Sequence, residues 1–320
     1  MESPQNLKKR LKSVNNIGQI TKAMELVSAT KMRKSQQIAL DSRPYSFAAL
    51  DFLATVSSLD TKSAGWRMPE LFEVRKNIKR VLFVLVTSDK GLAGAFNSSI
   101  FKKFEAHLKV EKAEWQREEH LYVAVGEKSY AYLTKKNLKV LKKFTSVGDH
   151  TTTEQVKPLS DFLIKGYLNK DFDRVVVIST HFRSALKQEP HVRRILPIDF
   201  DHVSDTIKEI IPERGKFADL IKEHHISFVP DKTKLKEYTI EPQAEKVLEK
   251  LAEHLFFMQV YHLILEANAS EHSARRMAMK TASDNASDLG GALNLQYNKS
   301  RQSRITTEIS EISAGAEALN

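Results

Sequence analysis

Thr87–Asn97, reading TSDKGLAGAFN, is the segment whose residue types come nearest to ligand chemistry. It follows an apolar run and carries two glycines, the arrangement by which a strand-to-helix turn cradles a phosphate in nucleotide folds. The spacing argues against that use: Gly91 and Gly94 form G-x-x-G instead of G-x-G-x-x-G, and no G-x-x-x-x-G-K-[ST] occurs in the chain. The simpler reading is a tight strand-to-helix turn whose backbone needs glycine. Histidines offer no better site. His224 and His225 are adjacent and do not face one metal from a helix, and His254 and His262 stand eight residues apart, too far to share an ion. Asp171/Asp173 and Asp199/Asp201 have the setting of loop and turn carboxylates. Neither H-E-x-x-H nor G-x-S-x-G is present. No nucleophile can be matched with a base, so the residues predict no catalytic site, metal or cofactor, and a mechanical or binding role instead.

Composition narrows the class further. The 320 residues include 50 Lys+Arg against 40 Asp+Glu, 41% hydrophobic residues, only 11 Gly and 9 Pro, and no Cys. That describes a helix-rich protein of one large or two ordinary domains, with no disulfide framework, thiolate nucleophile or dithiol switch, in keeping with a reducing compartment. The longest apolar runs, Val81–Thr87 and Leu255–Leu265, fall short of the roughly 20 residues of a membrane span. The first residues, MESPQNLKKRLKS, lack the apolar core of a secretory signal, so the mature chain is expected to start near Met1. Residues 1–43 carry nine Lys/Arg and three acids, whereas residues 241–320 carry eight and 11, so the two ends are electrostatically complementary. Residues 1–43 contain no aromatic to stack on a base, which argues against nucleic acid as a partner.

Three stretches must position whatever the chain does. In 1–60, Leu7, Leu11, Val14, Ile17, Ile20, Met24 and Val27 recur at steps of three and four, a helical stripe with Lys and Arg on the other faces. Ser3 and Pro4 suit an N-cap and a first turn, Pro44 predicts a kink, and Phe47–Leu59 continues the apolar pattern. In 242–320 no proline follows Pro242, far too long a run for an ordinary globular helix. Ile305, Ile309, Ile312, Ala316 and Leu319 there have coiled-coil spacing. Leu255–Leu265 is apolar almost all round and must be covered on several sides. Between these ends, 77–240 alternates apolar runs (Val81–Thr87, Leu121–Val125, Val140–Phe144, Val175–Thr180) with helix-like stretches at Ile100–Trp115 and Gln155–Leu168. This predicts a mostly parallel, helix-covered sheet, to which Val192–Ile198 and His225–Val229 add strands.

The motifs themselves carry a family resemblance. QITKAMELVSATKMRKSQ from Gln19, TSDKGLAGAFN at Thr87–Asn97, and ASEHSARRMAMKTASDNASDL with NLQYNKSRQSRITTEISEISAGAEAL in Ala269–Leu319 together resemble the gamma subunits of F-type ATP synthases. The motifs cover about a third of the chain, and the layout of long helix, domain and longer helix covers nearly all of it. The resemblance implies an α/β fold class: terminal helices in a long antiparallel coiled coil (1–60 with 242–320) around a central Rossmann-like α/β domain (77–240). It implies a non-catalytic rotor shaft inside a ring of catalytic alpha and beta subunits, with the α/β domain at the foot beside the epsilon subunit and the membrane c-subunit ring. ATP chemistry then belongs to the ring, and the chain sits peripherally on the cytoplasmic face of a bacterial inner membrane.

Carried over position by position, the family pattern places rotor–stator contacts at Lys22, Met24, Arg275, Arg301, Gln302 and Thr306. It places the coiled-coil seam at Leu7, Leu11, Val14, Ile305, Ile309 and Ile312. Met24 reads equally as a seam residue or a sliding contact, and Glu308 and Glu311 as partners for the basic first helix. Asp89, Lys90, Gly91, Gly94 and Asn97 form a foot-domain loop, structural or partner-facing. Several residues depart from the family pattern: Gly290 and Gly291 replace helix formers and Gly18 a Gln, which predicts a locally softer shaft. Arg276 and Arg304 stand at positions often apolar or small, and Ala93 and Ala95 replace the usual Cys and Gly. The absence of a cysteine-bearing insertion excludes the thiol-regulated chloroplast version. Two readings compete, a nucleotide-binding enzyme built on Thr87–Asn97 and a helical adaptor or nucleic-acid-binding coiled coil.

Overall fold

The computed structural model describes residues 3–41, 69–114, 118–148, 151–199 and 244–317. The kink at Pro44, the apolar stretch Phe47–Leu59, the strand at His225–Val229, Trp115, His224, Asp201 and Leu319 lie outside the described residues. The chain divides into two compact units, one of residues 1–30 with 275–320 and one of residues 31–274. Both terminal helices contribute to both units, and the expected boundaries near 60 and 242 lie outside the described residues.

The α/β unit is built on a five-stranded sheet of order β3-β2-β1-β4-β5, with β1 (Arg80–Val86), β2 (Glu119–Val125), β3 (Val140–Phe144), β4 (Arg174–Phe182) and β5 (Gln188–Leu196). The first four strands run parallel, and β5 returns antiparallel to β4 through the turn at Ser184–Lys187. Helices cover both faces, which is why β1 reads as an unbroken apolar run. Leu82, Val84 and Val86 face α4 (Thr153–Leu168) and the first part of α5 (Ala244–Glu317); Val81, Phe83 and Leu85 face α2 (Phe96–Glu114) and α3 (Glu127–Lys135). Strand and helix positions match the sequence reading except α3, a nine-residue helix it did not contain. The long helix α1 (Pro4–Asp41) starts as expected: Pro4 opens its first turn and the Asn6 amide donates to Ser3 Oγ at 3.4 Å.

At the amino end of the sheet, Arg75 donates to the carbonyls of Phe172 (2.9 Å) and Tyr167 (2.6 Å) and to Asp173 Oδ1 (2.9 Å). Asp173 Oδ2 accepts the amides of Lys79 (2.9 Å) and Arg80 (3.1 Å). Asp173 is thus a structural turn carboxylate; burial raises its pKa, but those amides and Arg75 outweigh it and hold the carboxyl below its usual range.

At the opposite end the strands meet at Gly126, whose φ of 95° and ψ of 151° suit glycine alone. A Cβ there would lie 2.2 Å from the Thr87 carbonyl oxygen, which is backbone and cannot yield cheaply. Gly126→Ala is therefore expected to destabilise the α/β unit by about 3 kcal/mol or more, the sum of backbone strain and a main-chain clash. Denaturant unfolding of the purified chain measures this; a loss under 1 kcal/mol would contradict the assignment.

Candidate functional site

Three regions were candidates: the glycine turn, the polar stretch of α5, and the helix pair. The glycine turn lies at the carboxyl ends of β1 and β2, where open α/β sheets bind ligands, but the chain satisfies its own polar groups there. The Ser88 amide donates to Asn97 Oδ1 (3.1 Å), Asn97 Nδ2 donates to Ser88 Oγ (2.8 Å), and that hydroxyl donates to the Lys90 carbonyl (2.7 Å). Asp89 accepts the amides of Glu127 (3.1 Å) and Ser146 (2.9 Å). The next amides of α3 are also taken, Lys128 by the Ser88 carbonyl (3.2 Å) and Ser129 by Thr87 Oγ1 (2.7 Å). A helix N-terminus of this kind attracts anions, and here the anion is the chain's own Asp89. Gly94 has the left-handed φ of 55° that the tight-turn reading requires; Gly91 does not, lies in open space, and is followed by Leu92 at φ 63°. Asp89 and Asn97 are structural, whereas Lys90 and Gly91 are exposed.

The polar stretch of α5 was not anticipated. Every residue from Gln259 to Ser273 is buried, including Glu266, Asn268, His272 and Ser273. Glu266 Oε2 lies 3.1 Å from His181 Nδ1 on β4 and 3.4 Å from Arg193 Nη1 on β5. Burial pushes the Glu266 pKa up, and the His181 hydrogen bond with the charges of Arg193 and His181 outweighs it, so the carboxyl stays below its ordinary range. The sequence signal was present: an acid, an amide and a histidine in a helix stretch with no solvent-facing side. Their partners lie some 70 to 120 residues away, where no local pattern shows them. No group of three or more His, Cys, Asp or Glu among the described residues has the placement of a metal site.

The helix pair forms the other unit. The position where Gly18 would carry a Cβ is 3.4 Å from Ala286 Cβ, and that of Gly290 is 3.2 Å from Asn15 Oδ1 and 3.9 Å from Val14. Four residues forward on one helix match four residues back on the other, so the pair is antiparallel. On α1 the covered positions run Leu7, Leu11, Val14, Gly18, Thr21, Glu25 and Ser28, at alternating steps of four and three. The expected stripe departs from this after Val14: Ile17 and Ile20 are 53% and 60% exposed, because steps of three drift off a 3.5-residue seam. On α5 the covered residues include Met279, Ala286, Gly290 and Leu293.

By the same register the start of α1 falls opposite residue 300 or so, and residues 301–316 are exposed on every side. Ile305, Ile309 and Ile312, at 42%, 58% and 72% exposure, therefore do not belong to a seam with α1. Glu308 accepts from Arg304 on its own helix (2.8 Å) and not from the basic first helix. Of the expected contact residues, Lys22 is exposed and pairs with Glu25 (2.9 Å), Met24 is half-buried, and Arg275 is buried. Arg301, Gln302 and Thr306 are exposed on the bare end, with the Thr306 hydroxyl donating to the Gln302 carbonyl (3.0 Å). Those last three share one helix end, while Lys22 and Met24 lie about five turns along α1 from its start.

Comparison with known proteins follows this geometry. The sequence model of the family described as ATP synthase matches residues 3–319. The chain is 34% identical over 319 residues to the ATP synthase gamma chain of Roseiflexus sp. (strain RS-1), covering 100% of this chain and 99% of that one. It is 35% identical over 325 residues to the ATP synthase gamma chain of Herpetosiphon aurantiacus, covering 100% of both. Its fold is similar to a chain in the OSCP/F1/c-ring structure of Euglena gracilis mitochondrial ATP synthase, with TM-score 0.59, 18% identity, and 99% of this chain and 94% of that one covered. A chain of the central stalk/c-ring structure from Tetrahymena thermophila mitochondrial ATP synthase gives 0.54 at 20% identity, covering 82% and 99%.

The two adjacent glycines of the helix pair differ in their surroundings. Gly290 is buried and lets Asn15 approach, whereas Gly291 is exposed with nothing within 4 Å. Gly291→Ala is expected to stabilise the pair by about 0.5–1 kcal/mol and to slow amide exchange around residue 291. Unchanged exchange there would mean that Gly291 does not soften the helix.

Proposed function

The chain belongs to the ATP synthase gamma-chain family, and we propose that it is the non-catalytic central-stalk rotor of an F-type ATP synthase, coupling ion flow to ATP synthesis or hydrolysis. One observation carries the mechanical side of this reading. The last turns of α5 expose Ile305, Ile309 and Ile312 at coiled-coil spacing, and none of the described residues covers them. An apolar stripe of that kind on a lone helix needs an outside partner, and the alpha and beta subunits of a catalytic ring form the sleeve that fits it. Arg301, Gln302 and Thr306 lie among these isoleucines and offer donors to loops of the sleeve. Lys22, Met24 and Arg275 serve as contacts further along the pair, with the unbranched Met24 suited to a sliding surface.

The α/β unit then sits at the foot, against the epsilon subunit and the c-subunit ring, and the chain is held peripherally at the cytoplasmic face of a bacterial inner membrane. No helix among the described residues is long and apolar enough to cross a membrane. Catalysis belongs to the ring. A rod that touches each ring subunit differently at each angle shifts every catalytic site between states of different nucleotide affinity, and the shift is limited by the difference in contact energy between those states.

Co-expression with the alpha and beta subunits from the same source tests the assignment. One copy of the chain per hexameric ring is expected, with ATPase activity that depends on it. Turnover by the chain alone would overturn the reading. Replacing Ile305, Ile309 and Ile312 together by Asp should weaken ring association about tenfold or more, since each fully buried Ile side chain contributes about 1.5–3 kcal/mol; undiminished association would remove the sleeve argument. Calorimetric titration of the isolated chain with ATP or ADP should give no micromolar binding, because Ser88, Asp89 and Asn97, the polar side chains of the turn, already have partners within the chain. Micromolar binding abolished by Gly91→Val and Gly94→Val would restore the nucleotide reading.

A further inference from the structure

A helix that carries torque must be prevented from turning within the domain that drives it. The buried stretch of α5 in the α/β unit meets polar partners on two sides. On one side, the β4–β5 pair supplies His181 and Arg193 to Glu266, and the carbonyl of Ala185 accepts from Ser273 Oγ (2.7 Å), with Gln188 Nε2 donating to the same hydroxyl at 3.4 Å. Glu266 and Ser273 are seven residues apart and lie on one helix face. On the other side, the Val147 carbonyl accepts from Asn268 Nδ2 (2.7 Å), and Asn268 also bonds Thr151 Oγ1. The Thr151 carbonyl accepts from the Tyr261 hydroxyl (3.1 Å), and the Gly148 carbonyl accepts from His272 Nε2 (3.0 Å). Tyr261, Asn268 and His272 share a second face. At about 100° per residue it lies roughly 200° from the face of Glu266.

Apolar contact does not fix angle well: a helix turned by one residue within an apolar sleeve exchanges one hydrocarbon contact for another. Buried directional bonds behave differently, because turning strands a carboxylate, a guanidinium and a carboxamide without partners. The arrangement has the form of a vice closed on opposite faces of one helix, and α5 runs on without interruption from it to Glu317.

We propose, building on the rotor reading, that Glu266 with His181 and Arg193, and Asn268 with Val147 and Thr151, form the anti-slip grip that transmits torque between the α/β domain and the shaft helix. These are positioning residues, acting through the helix they hold.

The test uses the assembled membrane-bound complex. A Glu266→Gln/Asn268→Leu double variant loosens both faces. It should lower ATP-driven proton pumping per ATP hydrolysed by about threefold or more, leave ATPase per assembled complex within about twofold, and broaden the angular fluctuation of a probe on the α/β domain when the ring is fixed. Unchanged pumping per ATP and unchanged fluctuation would overturn the proposal, as would a parallel fall of pumping and ATPase, which marks a merely structural role. Because the chain has no cysteine, an Ala185→Cys/Ser273→Cys pair allows the grip to be closed covalently. Oxidation should narrow the fluctuation and recover pumping in the double variant, and no difference between oxidised and reduced complexes would overturn the grip. If the double variant fails to assemble, the cysteine pair in the otherwise native chain decides by the same fluctuation measurement. Failure of the native chain to join a ring at all would instead sink the rotor reading.

Discussion

Continuity of α5 obliges one helix to meet three surroundings in turn, and most of the structure answers that demand. From Gln259 to Ser273 it has no solvent-facing side, so each polar residue there needs a partner from the sheet or a loop. Around Met279–Leu293 it needs one covered face, which the antiparallel α1 provides. From residue 301 to 316 it is exposed on every side, with none of the described residues covering it. No proline and no cap interrupts the ladder, so the transitions between these environments are made entirely by side chains. The buried charges are the costly part. Glu266 is tolerated because His181 and Arg193 reach it from two adjacent strands; a carboxylate at that depth without them would cost several kcal/mol or take up a proton.

The α/β architecture was legible because its strands are covered on both faces. Val81–Val86 and Val175–Ile178 are apolar at every position, which no half-exposed strand requires. Helix α3 was missed because it is only nine residues long, shorter than the window in which helical periodicity can be told from chance, and it buries only Ser129 and Leu133 fully. The seam was misread for an instructive reason. Ile17 and Ile20 look more like core than Thr21, Glu25 and Ser28, yet the latter are buried. Hydrophobic patterning finds the apolar face of a helix, but only the heptad step finds the face turned to a particular partner. The helix pair hides small and polar residues from water and leaves Ile17, Ile20, Leu26 and Val27 outside.

The glycine turn shows why fold alone does not identify function. Its position at the strand ends is that of a phosphate site, and the motif spacing already argued against one. The structure supplies the physical reason. Ser88 and Asn97 bond to each other across the turn, and Asp89 is engaged by the amides of Glu127 and Ser146. The same chemistry that recognises an anion has been turned to fastening β1, α3 and the loop after β3 together.

The helix pair is built for close approach more than for adhesion. Gly18 against Ala286, and Gly290 beside Asn15, bring the backbones near but bury little hydrocarbon, and the seam continues through Thr21 and Ser28. Pairing of this kind fixes register and direction while contributing modest stability, since burial scales with apolar area. A single helix beyond the pair is weaker still, because an isolated segment of this length is marginal in water. Stiffness at that end must therefore come from outside the chain, whereas stiffness inside the α/β unit is supplied by directional bonds on two faces of α5. Under the proposed rotor role, the shaft is firm where it would receive torque and depends on a surrounding sleeve where it would deliver it.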